Sequence, residues 1–360
     1  MSNAKRLVIT GPIDVRPEIL AAQTRPMIGH RGKAFEELFA SIQDKLKQVF
    51  LTNNRVYVVG SSGTGFWEAA SRNAIRDDKK VLHLCGGAFS ERWAEISEAN
   101  GKTVDRITVN WGQPHTADMV AQALENETYD AVCMVHNETS TGLTNPVAEI
   151  GAVVAQYDDT LFMVDTVSGV LGTEFRTDEW NVDFALTSSQ KAFALPPGLA
   201  FAAVSDRVLE RAKEIKNRGY YFDLLSMEQS LVKNNTPSTP PISLLYAADQ
   251  QLTDILNEGL ENRWQRHIQL REMTAEWIQA NDFGFFAEEG YHSNTVTCVD
   301  NTRNIDVNSM ASFMSQRGFS MDKGYGKIKG KTFRIGHMGD MQRDMLEEVL
   351  AGLDDYLKQA

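Results

Sequence analysis

Between about Val56 and Val204, short apolar runs alternate with stretches whose apolar residues recur at helical spacing. The runs are Val56–Val59, Val81–Leu84, Thr103–Val109, Ala131–Val135, Leu161–Val164, Phe184–Thr187 and Leu199–Val204. Several are apolar throughout rather than at every second position, as expected of strands buried on both faces. Helical patterns over Phe66–Ile75, Glu91–Asn100, Thr116–Leu124 and Val147–Tyr157 separate many of them. Strands and helices in this order predict an α/β fold, a mostly parallel seven-stranded sheet with helices on both faces.

After Val204 the texture changes. A long helical tract over about Ile242 to Ala280 carries Trp264 and Trp277, which read as core and interface. Thr295–Val299, Val307–Arg317, Thr332–Ile335 and a helix over Asp340–Leu357 then predict a small C-terminal α+β domain. The expected division is an N-terminal arm over 1–15, a large domain over 16–250 and the small domain over 251–360. The Gly/Lys run Lys323–Lys331 predicts a mobile hairpin near a site entrance, with an anion patch as the alternative.

The chemistry gathers where predicted strands end. In Thr187-Ser188-Ser189-Gln190-Lys191-Ala192-Phe193-Ala194-Leu195-Pro196-Pro197-Gly198, one lysine stands among small and polar residues between a strand and a Pro-Pro-Gly turn. A lysine that must lose its proton and attack a carbonyl needs such surroundings, as a Schiff-base lysine carrying pyridoxal phosphate does; a solvated surface charge is the competing reading. Leu161-Phe162-Met163-Val164-Asp165 puts a carboxylate at the end of a buried strand, where ligands collect in open α/β sheets. Asp165 suits the pyridine nitrogen of that cofactor, or else caps a turn.

Val59-Gly60-Ser61-Ser62-Gly63-Thr64-Gly65 leads a strand into a helix through a loop suited to a phosphate, or forms an ordinary N-cap. It has neither the lysine of a Walker loop nor the glycine spacing of the dinucleotide fingerprint. His136 and Glu138, in Val135-His136-Asn137-Glu138-Thr139-Ser140-Thr141-Gly142, have no second ligand pair spaced to complete a metal site, so no metal is expected.

Taken in order, these segments resemble the class V aminotransferases, and within them the alanine–glyoxylate and serine–glyoxylate (serine–pyruvate) group. The likeness runs from Thr10-Gly11-Pro12 to Phe333-Arg334-Ile335-Gly336-His337-Met338-Gly339. It implies fold type I of the pyridoxal phosphate enzymes and a ping-pong transamination. It implies that Lys191 carries the cofactor, Asp165 faces the pyridine nitrogen, Val167 packs under the ring and Phe89 stacks on it. Ser62, Gly63, Thr64 and Gln190 would hold the phosphate, and Thr139 would lie near the phenolic oxygen. Arg334 would clamp the substrate carboxylate, with Gly11 beside the substrate. Asn235–Ser243 resembles a loop that reaches the neighbouring subunit's site, which implies a homodimer with Thr236 and Thr239 at the cofactor phosphate.

The resemblance also leaves other class V activities open: aminophosphonate or pyridoxamine transamination, lyase or desulfurase chemistry, and a non-catalytic subunit. A desulfurase needs a mobile cysteine, whereas Cys298 falls in a strand-like run.

Composition narrows the partners. The net charge of −12 opposes nucleic-acid binding, which needs a basic face. Cys85, Cys133 and Cys298 are an odd set without metal spacing and read as reduced core residues. No apolar stretch is long enough to span a bilayer, and Met1–Arg6 offers no secretory leader, so a cytoplasmic enzyme is expected.

Overall fold

The computed structural model describes residues 5–359. Met1–Ala4, with the start of the expected arm and leader-free segment, lie outside these residues, as does Ala360. The seven predicted strands form one sheet: β1 (Arg55–Gly60), β2 (Lys80–Cys85), β3 (Thr103–Thr108), β4 (Ala131–Val135), β5 (Leu161–Asp165), β6 (Phe184–Ser188) and β7 (Leu199–Val204). Their spatial order is β1-β7-β6-β5-β4-β2-β3. Only β7 runs antiparallel to its neighbours; the other pairings are parallel.

Alternate residues of these strands feed two separate cores. Val58, Leu84, Met134, Val164 and Phe201 join one with the helices Lys33–Phe50 and Ile242–Glu258. Val59, Val81, Cys133, Met163 and Ala202 join the other with the helices Gly63–Ala74, Ala88–Ala99 and Asp206–Glu214. Burial on both faces explains why these strands read as unbroken apolar runs.

Four departures from the sequence expectations have local causes. The helix Lys33–Phe50, with Phe35, Phe39, Ile42, Leu46 and Val49 on its buried side, precedes the strand–helix alternation and was not expected. The tract from Ile242 to Ala280 is two helices, Ile242–Glu258 and Leu260–Ala280, because Gly259 adopts φ +84° between them. The C-terminal helix starts at Arg343 rather than Asp340; the Asp340 carboxylate instead accepts hydrogen bonds from Arg16, Gln251 and Arg263.

The Gly/Lys run is no two-stranded hairpin. It carries a single 3-10 turn, Gly326–Ile328. Of its lysines, Lys323 donates to Asn308, Lys327 lies over Trp111 near Glu91, and Lys323 and Lys329 line a cavity with Arg334.

The C-terminal region holds the antiparallel strands Gly284–Phe285, Val296–Asp300 and Thr332–Gly336. The N-terminal strand Arg6–Val8 pairs in parallel with Phe319–Met321. No helix among the described residues is long and apolar enough to cross a membrane.

Candidate active site

β4, β5 and β6 are adjacent and parallel, so their carboxyl ends open on one side of the sheet. Lys191 follows β6 in a tight turn closed by Ala194 N–H to Lys191 C=O (2.8 Å) and Leu195 N–H to Ser189 C=O (3.0 Å). The Ser189 hydroxyl ties the turn to Pro196 C=O and accepts from Leu199 N–H, fixing where the lysine leaves the backbone. The Lys191 amine donates to Ser168 Oγ (3.1 Å) and lies 3.5 Å from Thr139 Oγ1, with the Phe89 ring centroid 4.9 Å away.

Asp165, at the end of β5, is 4 % exposed and accepts from Val167 N–H (2.7 Å). Trp67 faces the same carboxylate, but its indole nitrogen is not aligned into a formed hydrogen bond with it. Burial is the largest influence on Asp165 and raises its pKa to about 6, against the Val167 hydrogen bond and the Lys191 charge. Some of the Lys191 side chain faces open space, yet enough protein surrounds its amine that desolvation lowers its pKa to about 8, aided by Arg334 and opposed by Asp165. The lysine is thus eased toward the neutral, nucleophilic form.

One cavity contains Lys191, Asp165, Thr139, Val167 and Gln190 together with Phe89 and the helix start Ser62, Gly63 and Thr64. The helix Gly63–Ala74 has no side-chain cap, so its first turn faces the cavity without a built-in anion. A Cβ on Gly63 would come within 2.9 Å of Val167 Cγ2, so only glycine lets the helix end approach that residue. Four buried polar atoms of residues lining the cavity lack partners: Trp67 Nε1, Asn137 Nδ2, Ser188 Oγ and Gln190 Oε1. A second cavity shares Phe89 and Lys191 with the first and adds Gly11, Thr10, Asp322, Tyr325 and Arg334.

Thr236 and Thr239 are not brought to this site within their own chain. They line a separate depression with Gly60 and Tyr221, and Arg31 holds their loop by donating to Asn235, Thr236 and Pro237.

Sequence reasoning missed several residues that shape the site. Glu138 is 2 % exposed and accepts from Phe89 N–H (3.3 Å), Ser90 N–H (3.0 Å) and Ser140 N–H (3.2 Å), anchoring the helix start that presents Phe89. Tyr325 stacks on Phe89 at 5.5 Å between centroids, and Arg92 donates to its hydroxyl. Asp322 pairs with Arg334. Glu138 lies within the Val135–Gly142 segment and Tyr325 within the Lys323–Lys331 run, but neither position in the sequence marks its contact with Phe89.

The family described as aminotransferase class-V matches residues 17–328. A serine–glyoxylate aminotransferase of Arabidopsis thaliana is 34% identical, covering 98% of this chain and 90% of that protein. A soluble hydrogenase small subunit of Synechococcus is 33% identical, covering 98% of this chain and 92% of that one. The crystal structure of an alanine–glyoxylate aminotransferase from Nostoc superposes with a TM-score of 0.94 at 28% identity, covering 99% of this chain and 96% of the other. With its open α/β sheet and a lysine–carboxylate cavity at the strand ends, the chain belongs to the class V aminotransferases, a pyridoxal phosphate-dependent family.

Proposed function

We propose that this protein is a pyridoxal phosphate-dependent aminotransferase that moves the α-amino group of alanine or serine to a small 2-oxo acid, glyoxylate or pyruvate. The observation that carries this reading is the Lys191 amine and the Asp165 carboxylate lining one cavity with an uncapped helix N-terminus. The donor set fits the cofactor. A primary amine, a buried acid, an aromatic face at Phe89 and an apolar Val167 match a phosphorylated pyridine aldehyde group by group, and the unpartnered Ser188 and Gln190 oxygens leave polar capacity beside the helix end.

Lys191 would hold the cofactor, Asp165 its ring nitrogen, Thr139 its phenolic oxygen, and Ser62, Gly63, Thr64 and Gln190 its phosphate. When bound, the cofactor supplies an electron sink for the carbanion formed at the substrate Cα. The chain's own contribution is positional and electrostatic. The Lys191 amine, with its lowered pKa, would take the proton lost from the substrate Cα and pass it on to the cofactor, since a proton put back on Cα would transfer no amino group. Phe89, stacked under Tyr325, supplies an aromatic wall to the cavity. Arg334, buried beside Gly11 and Lys191 in the outer cavity, orients the substrate carboxylate.

The assembly belongs to the same proposal: a cytoplasmic homodimer in which the loop Asn235–Ser243 of one copy brings Thr236 and Thr239 to the phosphate of the other. The exposed Thr239, on a loop tied down by Arg31, supports it.

Desulfuration is disfavoured because Cys298 is buried on the strand Val296–Asp300, where desolvation pushes its thiol up to about 12. The relative named as a hydrogenase subunit keeps a non-catalytic role in view; the intact Lys191–Asp165 pair supports catalysis instead. The deciding experiment is an absorbance spectrum of the purified protein, titrated with alanine, serine, glutamate and aminoethylphosphonate. A visible band that bleaches with alanine or serine is the expected result. Bleaching with aminoethylphosphonate alone would overturn the substrate assignment, and absence of the band after adding pyridoxal phosphate would overturn the cofactor and favour a scaffold.

A further inference from the structure

Arg334 enters the outer cavity from the strand Thr332–Gly336, and its guanidinium is already engaged. Nη1 donates to the Thr139 carbonyl at 2.8 Å, Nη2 is ion-paired with Asp322 Oδ2, and Nε is buried without a partner. The Tyr325 ring centroid lies 5.2 Å from the guanidinium carbon. The ion pair is nearly enclosed, with side-chain exposures of 4% and 14%. A carboxylate held by arginine takes two neighbouring N–H groups as a fork. With one terminal nitrogen carrying the Asp322 charge, the other a backbone carbonyl and Nε buried, an incoming carboxylate must compete with Asp322 for the guanidinium.

Asp322 has a second partner besides Arg334. Its backbone bridges that of Arg334, with Arg334 N–H donating to Asp322 C=O at 3.3 Å. The Thr10 hydroxyl donates to the same Oδ2 that meets Arg334, at 3.3 Å. The chain beyond it turns at Gly324 and Gly326, at φ +79° and +54°. The carboxylate therefore has a second donor within reach, just before a turn built on two glycines.

We propose that Asp322 is a specificity-determining residue that competes with the substrate: its carboxylate holds Arg334 until the substrate's α-carboxylate arrives and displaces it, leaving Thr10 to receive it. The proposal rests on the reading of Arg334 as the carboxylate-binding residue. Two consequences follow from an enclosed pair. Each carboxylate ligand binds more weakly than it would to a free arginine, because it must first separate opposite charges that attract each other away from water. A neutral ligand cannot repay that separation, so the exchange selects for an acid group.

The test is binding of propionate, a monocarboxylate with no amino or oxo group, to the cofactor-loaded protein by calorimetry. The proteins compared are wild type, Asp322→Asn, Arg334→Ala and the double variant. Asp322→Asn keeps the size of the side chain and removes its charge. It is expected to tighten propionate binding about tenfold, and to change nothing in the Arg334→Ala background. Weaker or equal binding in Asp322→Asn would overturn the proposal, since a residue that merely positions Arg334 loses affinity when its charge is removed. Arg334→Ala binding propionate as well as wild type would overturn the proposal together with the reading of Arg334. A tenfold gain that persists without Arg334 would overturn the competition alone and leave that reading intact.

Discussion

Gly11 lies against the stem of Lys191 so closely that a Cβ there would stand 2.9 Å from Lys191 Cε and 3.0 Å from Cγ. Its φ of +124° is open to glycine and strained for any other residue. Gly11→Ala therefore combines backbone strain of about 1–3 kcal/mol with displacement of the lysine. Slower cofactor uptake and at least tenfold lower turnover are expected, measured by absorbance and by steady-state rates. A variant that loads and turns over like wild type would mean the lysine stem does not depend on this contact.

Asp165 is a buried acid at the end of β5. Its raised pKa shows that desolvation outweighs the charges around it. Asp165→Asn should cut kcat at least about a hundredfold, the scale of a lost proton-handling or electrostatic group. The cofactor-free variant should unfold at the same temperature as wild type or higher, since the cost of burying a charge is gone. Paired kcat and melting measurements check both; a large drop in melting temperature would make Asp165 a structural residue instead.

Glu138 gathers the N–H groups of Phe89, Ser90 and Ser140 in a site almost closed to water. Glu138→Ala leaves those donors without a partner, at a cost of about 2–5 kcal/mol. Urea unfolding should show that loss, and the quantum yield of a cofactor analogue bound beside Phe89 should change with it. An unaltered urea midpoint would show that water replaces the carboxylate.

Five buried imidazoles, His83, His115, His136, His267 and His337, are held below their usual pKa by desolvation and set a pH limit. Desolvation lowers His83 to about 3, and His136 and His337 to about 4. Unfolded, each binds a proton near pH 6.5. The unfolded chain thus takes up more protons than the folded one between about 6.5 and 4, so stability is full above that range and falls as pH drops through it. Each group contributes about 1.4 kcal/mol per pH unit within its window. Asp165, with a folded pKa raised to about 6, acts in the opposite sense below pH 6 and offsets only part of this loss. Melting temperatures at pH 7.5, 6.0 and 5.0 should fall in that order; a flat profile would mean that these imidazoles are hydrated or paired in solution.

The strand–helix alternation, the strand ends and the residues clustered there could be read from the sequence because each is a local signal. An apolar run buried on both faces, as in Leu161–Val164, can serve as little else than an inner strand, and a polar residue directly after it must emerge at the edge of the sheet. Lys191, Asp165, Thr139 and the Ser62-Gly63-Thr64 loop were legible for that reason, and the structure brings them to one cavity. The resemblance added Phe89, Gly11 and Arg334, which local spacing alone did not single out.

What the tertiary structure decided are contacts between segments that carry no mark of one another. Gly11 reaches Lys191 because the N-terminal segment runs beside the turn after β6, with Ile13 N–H donating to Gln190 C=O. Asp322 meets Arg334 because two short C-terminal segments lie side by side, and Glu138 finds Phe89 because β4 and β2 are neighbours in the sheet. Periodicity encodes which face of an element is buried, but not which distant side chain lies opposite. That choice is made by strand order and by the packing of whole elements, and the charges and close approaches of the site follow from it.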